Sequence, residues 1–126
     1  MKQAFTILGR VVIIKKFLII LSIVLLLCLT PFVYIQVKKH IALNKVMEYL
    51  IEEKGYDESD IFMIESKWTT GIPNYYVKVT FQNEPNIVYL YFAHDIKGQF
   101  EYYDIRGIKV PIEDLKNYDP YKNNRS

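Results

Sequence analysis

The hydrophobic pattern changes character near residue 40. Residues 17–37, FLIILSIVLLLCLTPFVYIQV, form a run of 21 without a charge. As a helix rising ~1.5 Å per residue, this run reaches roughly 31 Å, against a bilayer hydrocarbon core of ~30 Å. Lys15 and Lys16 close it on one side, and Lys38, Lys39 and His40 on the other. The pattern predicts a single transmembrane helix. Phe32 and Tyr34 near its end suit a membrane interface, and Pro31 suits a bend there.

Beyond the run the apolar positions recur with helical spacing. Leu43, Val46, Met47 and Leu50 follow i, i+3, i+4, i+7, so residues 41–54 are expected to be a second helix, stopped at Gly55. Nothing between residues 37 and 41 breaks a helix, so the span is free to continue into it. After a polar connection at 56–60 the period falls to two. Residues 61–68 alternate Phe62, Ile64, Ser66, Trp68 against Ile61, Met63, Glu65, Lys67. Residues 75–81 alternate Tyr75, Val77, Val79, Phe81 against Tyr76, Lys78, Thr80, Gln82. Residues 87–93, IVYLYFA, are apolar on both faces, as a central covered strand would be. Residues 99–105 make a fourth strand.

The turns between these runs, at 70–74, 83–86 and 94–98, are short, so successive strands are expected to pair antiparallel. Pro111 is placed to open one helical turn over 111–116, residues 108–112 read as a short strand or an extended tail, and the polar end from Tyr118 is expected to fray. The fold class is therefore α+β: an N-terminal transmembrane helix followed by one helix packed on a four-stranded antiparallel β-meander. The expected segments are 1–16 (basic, cytoplasmic or interfacial), 17–37 (span), 38–118 (extracytoplasmic α+β domain) and 119–126 (polar tail).

Charge sharpens this division. Residues 1–40 hold six Lys/Arg and no acid; residues 41–126 hold ten Lys/Arg and all 14 acids, so the formal net charge of +2 averages a basic lead and a mildly acidic domain. The bases flank the span, where lipid headgroups account for them, and no nucleic-acid partner is expected. Their excess before the span predicts an N-terminus in the cytoplasm and a C-terminal domain outside it. Large residues at 29–34 offer no small-x-small cleavage site, and Leu25, Leu26 and Leu27 before Cys28 do not suit lipidation, so an uncleaved signal anchor is expected. Cys28 is the single cysteine, so the domain holds by packing without a disulfide.

Three runs carry a family resemblance: YLIEEKGYDESDI (49–61), YYVKVTF (75–81) and NEPNIVYLY (83–91). With the basic lead and single span ahead of them, they resemble an uncharacterised domain family of small membrane-anchored proteins from Bacillus-type bacteria. The resemblance implies a location and a fold. It implies no activity and assigns no residue a role.

Candidate chemistry is sparse. The acidic run Asp57, Glu58, Ser59, Asp60 lacks the alternate ligand spacing of a calcium loop and reads as a solvated turn. His40 and His94 lie in different segments without metal-ligand spacing, and no serine sits in a nucleophile elbow. No metal, no cofactor and no enzymatic activity are expected. The unusual feature is tyrosine, 11 of 126 residues, ten of them after the span. Tyrosines suit strands, and they also give large contact area at low entropy cost.

The expected function is that of a non-enzymatic binding or regulatory module. Trp68, Tyr76, Lys78 and Tyr103 on the uncovered sheet face are the candidate partner-binding residues. Membrane lipid and another membrane or cell-surface protein are the expected partners. The alternative is a small subunit of a membrane complex assembled through its transmembrane helix, with Ser22, Cys28 and Thr30 marking the contact. An exported hydrolase-like or inhibitory activity is a third reading.

Overall fold

The computed structural model describes residues 2–122, with side chains described from Thr6 onward. The chain forms two compact units, Met1–Gln36 and Val37–Ser126. The first is helical throughout its described residues. Its helix, α1 (Lys2–Glu48), contains Pro31 and is long and apolar enough to cross a membrane. Apolar side chains such as Phe17 and Leu26 are exposed around it. Ser22 Oγ donates to the Leu18 carbonyl at 2.8 Å and Thr30 Oγ1 to the Leu26 carbonyl at 2.7 Å. Both hydroxyls are thus satisfied within their own helix.

The second unit takes the end of α1 and a single sheet of four strands: β1 (Ile61–Trp68), β2 (Tyr75–Phe81), β3 (Glu84–Phe92) and β4 (Gln99–Asp104). The order is β1-β2-β3-β4 with every pair antiparallel, the expected meander. The two helices expected at 17–37 and 41–54 are one continuous element, because no Gly or Pro interrupts residues 32–48. It ends in one π-turn, Tyr49–Glu53, where the Lys54 N–H donates to the Tyr49 carbonyl at 3.1 Å. Gly55, at φ 77°, reverses the chain, and the Tyr56 N–H closes on the Leu50 carbonyl at 3.0 Å.

The core lies between helix and sheet. Val77, Val79, Phe81, Tyr89 and Tyr91 meet Ala42, Val46 and Leu50. The buried stripe is rotated from the expected one: Ala42 is buried, while Leu43 and Met47 are half-buried. A small side chain there lets the helix lie close to the strands. On β1 a register shift between Ile61 and Met63 puts Ile61 against the core and leaves Phe62 exposed, undoing the simple alternation at that end.

β3 begins earlier than expected. Phe81 pairs with Glu84, so the expected four-residue turn shrinks, and the register is irregular between Val79↔Tyr89 and Phe81↔Glu84, over the stretch of β3 that holds Pro85. Residues 108–112 form no strand, and Pro111 precedes a short 3-10 turn, Ile112–Asp114.

The C-terminal segment is the largest departure. The expectation of fraying from Tyr118 fails over its described part, 118–122. Gln99 donates its N–H to the Asp119 carbonyl at 2.8 Å and accepts from the Tyr121 N–H at 3.0 Å, making a parallel bridge to Pro120. The Tyr118 ring packs edge-on against Tyr102. Gly98, at φ 115°, allows this close passage, since a Cβ there would lie 2.8 Å from the Tyr121 Cα.

Candidate functional site

The sheet has two unlike faces. On the inner face, polar groups buried among the core residues form a connected network. Glu84, 7% exposed, accepts from the Tyr89 hydroxyl, from the Lys116 N–H at 2.8 Å and from Asn117 Nδ2 at 3.1 Å. The Tyr56 hydroxyl donates to Asn117 Oδ1 at 3.0 Å. Gln99 donates through Nε2 to the Tyr91 hydroxyl and to the Asn117 carbonyl, both at 2.8 Å. Asp119 accepts from the Tyr49 hydroxyl at 2.5 Å and pairs with Lys54 at 3.1 Å.

Burial pushes the Tyr49, Tyr56, Tyr89 and Tyr91 phenols above their ordinary range. The bonds from Tyr49 to Asp119 and from Tyr89 to Glu84 add to this, because each phenol must stay protonated to donate to a carboxylate. Every group of this network is occupied in fixing the C-terminal segment to helix and sheet, and it has the character of a structural clamp.

The outer face carries rings without a covering element. Tyr76 meets Phe100 edge-on, with centroids 5.9 Å apart at 88°. Phe92 lies 4.7 Å from Phe100 and 5.0 Å from Tyr121. Lys78 Nζ sits 5.9 Å over the Tyr103 ring. The register explains the grouping: Lys67↔Tyr76↔Phe92 and Glu65↔Lys78↔Leu90↔Glu101 are transverse rows on one face, and Val88↔Tyr103 extends it. Glu65 is held below the usual carboxylate range by its bond from Lys67 at 2.7 Å. The rings are half-buried, and the Tyr76 and Tyr103 hydroxyls have no hydrogen-bond partner among the described residues.

Phe92 also lines a shallow hollow of about 540 Å³ with Ile72, Pro73, His94 and Ile96, which continues the apolar surface past the end of the sheet. A second cleft of about 350 Å³ lies between the end of the helix and the β3–β4 turn. It mixes Lys45, Glu48, Glu52, His94 and Asp95, with Glu53 and Lys97 paired across it.

Of the four residues proposed from sequence, Tyr76, Lys78 and Tyr103 fall together on this outer face. Trp68 does not join them. It pairs with Tyr75, in the row next to Ser66↔Val77, so it belongs to the inner-face set at the free end of β1, where it is 45% exposed. Phe92 and Phe100 were not singled out by sequence reasoning. The signal for Phe92 was the doubly apolar run 87–93; Phe100 reaches the outer face at the register shift between Leu90↔Glu101 and Tyr91↔Gln99, which no local pattern announces. The acidic run 57–60 is a 3-10 turn in which the Asp60 carboxylate accepts the Asp57 N–H at 2.9 Å. Among the described residues no cluster of His, Cys, Asp and Glu is arranged to hold a metal ion.

One family model, described as "Protein of unknown function (DUF3139)", matches residues 14–91. No curated protein and no solved structure matches the chain. The matched stretch includes the apolar run, the helix end, β1, β2 and nearly all of β3. The clamp residues Gln99, Asn117 and Asp119 lie beyond it.

Proposed function

The chain belongs to DUF3139, a family of proteins of unknown function, and on that premise we propose that it is a single-pass membrane-anchored protein whose outer domain acts by binding, without catalysis. In this reading α1 crosses the bilayer as an uncleaved anchor with the N-terminus in the cytoplasm, in the manner of the small membrane-anchored Bacillus-type proteins that its runs resemble. Support comes from the length and apolarity of the helix and from the basic residues that precede the run. The outer face of the sheet meets the partner, a segment of another membrane or cell-surface protein.

One observation carries the binding reading. The Tyr76–Phe100–Phe92 ladder, with Lys78 over Tyr103, is an aromatic surface with free hydroxyls and flanking charges of both signs. That composition is typical of interface centres. The titratable groups most perturbed by burial are phenols locked in structural bonds, which favours binding over acid–base chemistry.

Two experiments test the proposal. In intact cells, Cys28 should resist a water-borne thiol reagent, while a cysteine at the fully exposed Ile72 position (Ile72→Cys in a Cys28→Ser chain) should react from outside. Labelling of Cys28, or protection of the Ile72→Cys thiol, would refute the topology. In-cell crosslinking should recover a partner with the wild-type chain and lose it with Tyr76→Ala/Tyr103→Ala. Equal recovery from the double variant would remove the outer face as the site. Loss of the partner on replacing residues 17–37 by an unrelated anchor would instead assign the contact to the span.

A further inference from the structure

The C-terminal segment serves both faces of the sheet. On the inner side Asn117 bonds to Tyr56 and Glu84, and Asp119 to Tyr49 and Lys54. The chain then passes the start of β4, where Gln99 bonds to it on either side of Pro120 and Gly98 leaves it room. Two residues beyond Asp119, the Tyr121 ring arrives on the outer face, 5.0 Å from Phe92 at 84°.

The two ends of this segment are held very differently. Asn117 is 6% exposed, and its side-chain amide is bonded through both its oxygen and its nitrogen. Tyr121 is 44% exposed. Its N–H is tied to the Gln99 carbonyl at 3.0 Å, but its hydroxyl has no hydrogen-bond partner among the described residues. Its ring rests edge-on against Phe92. Such a contact is weak, and a side chain at a wet surface changes rotamer within nanoseconds. The ring is therefore able to swing off Phe92 while the backbone bonds of the segment stay in place.

Phe92 is also the point where two apolar surfaces join. It lies 4.7 Å from Phe100 in the outer-face ladder, and it lines the hollow of about 540 Å³ with Ile72, Pro73 and Ile96. A ring seated on Phe92 stands at that junction. We propose that Tyr121 is a built-in cover of the outer face, competing with the partner segment for Phe92, so that binding requires the ring to swing away. This rests on the reading of the outer face as the binding surface. The clamp keeps the competition local, because Asn117 and Asp119 hold the segment at β4 while the ring comes and goes. A site that is open only part of the time binds more weakly in proportion, and a ring pair of this kind should lower the apparent affinity about three- to tenfold.

The test is photo-crosslinking of the full chain in intact cells. The probe is p-benzoylphenylalanine in place of Lys67, which lies in the outer-face row Lys67↔Tyr76↔Phe92. The yield of adduct is compared over a range of expression levels in three backgrounds: wild type, Tyr121→Ala and Tyr121→Phe. Tyr121→Ala removes the ring but keeps the backbone bonds, and half-maximal adduct formation should move to an expression level about three- to tenfold lower. Tyr121→Phe keeps the ring and should follow the wild type. Equal yields in all three backgrounds would overturn the cover and leave the outer-face reading standing. A lower yield with Tyr121→Ala would also overturn it, and would make Tyr121 part of the recognition surface. A rise with Tyr121→Phe as large as that with Tyr121→Ala would show that the ring is not the cover. No adduct in any background would refute the outer-face reading itself, and the proposal would fall with it.

Discussion

The inner and outer faces of the sheet carry the same residue type to opposite ends. Tyr89 and Tyr91 on the inner face are fully buried, with hydroxyls bonded to Glu84 and Gln99. Tyr76 and Tyr103 on the outer face are half-buried, with hydroxyls bonded to no described residue. A buried phenol needs a partner, because leaving it unpaired costs about 1–3 kcal/mol. A phenol at a wet surface meets water for nothing and stays available to a ligand. The inner tyrosines therefore report on stability, and the outer ones are available for recognition.

The largest effect should come from breaking the inner network at its hub. Glu84→Ala leaves the Tyr89 hydroxyl, the Lys116 N–H and the Asn117 amide short of an acceptor. It should cost about 3 kcal/mol, read from urea unfolding of the full chain in detergent. A cost under about 1 kcal/mol would mean that water replaces the carboxylate and the clamp is loose.

Gly98→Ala addresses the same clamp from its far end. It forces a Cβ into the Tyr121 backbone at an unfavourable positive φ and should cost about 2 kcal/mol. Proteolysis of the C-terminal segment should accelerate with it, and unchanged protease resistance would show that the segment is not held through Gly98.

Alkaline pH separates the faces without mutation. The four inner phenols have folded-state pKa values above their ordinary value of about 10. Their contribution is therefore complete below pH ~10 and is lost as pH rises beyond it, when the unfolded chain ionises first. Thermal melts should fall from pH 10 upward, and Tyr89→Phe should flatten that fall. The outer face gives the smallest effect on stability. Tyr103→Ala removes a half-buried ring and a cation–π contact of Lys78, and should change stability by about 0.5 kcal/mol while weakening partner capture. A loss as large as that of Glu84→Ala would erase the distinction between the faces.

Local pattern was sufficient for most of the architecture. The uncharged run, the helical spacing at 43–50, the stop at Gly55 and the alternation at 75–81 each rest on neighbours within a few residues, and each was legible in the sequence. The three outer-face residues Tyr76, Lys78 and Tyr103 were legible for the same reason: period two places them opposite a core-facing set, and short turns bring their strands together. Trp68 was misplaced because aromatic character says nothing about which face a strand end turns outward. The register with Tyr75 decides that.

The clamp was not legible at all. Glu84 and Asn117 are 33 positions apart, Tyr49 and Asp119 are 70 apart, and no periodicity links them. A polar tail next to Tyr118 looks solvated until the fold supplies buried partners for it. What the linear chain settled is the set of interactions short in sequence: where helix and strands lie, and that one long apolar rod precedes an α+β unit. What needed three dimensions is the set of buried polar bonds between distant segments, because a polar side chain's environment is defined by what closes over it.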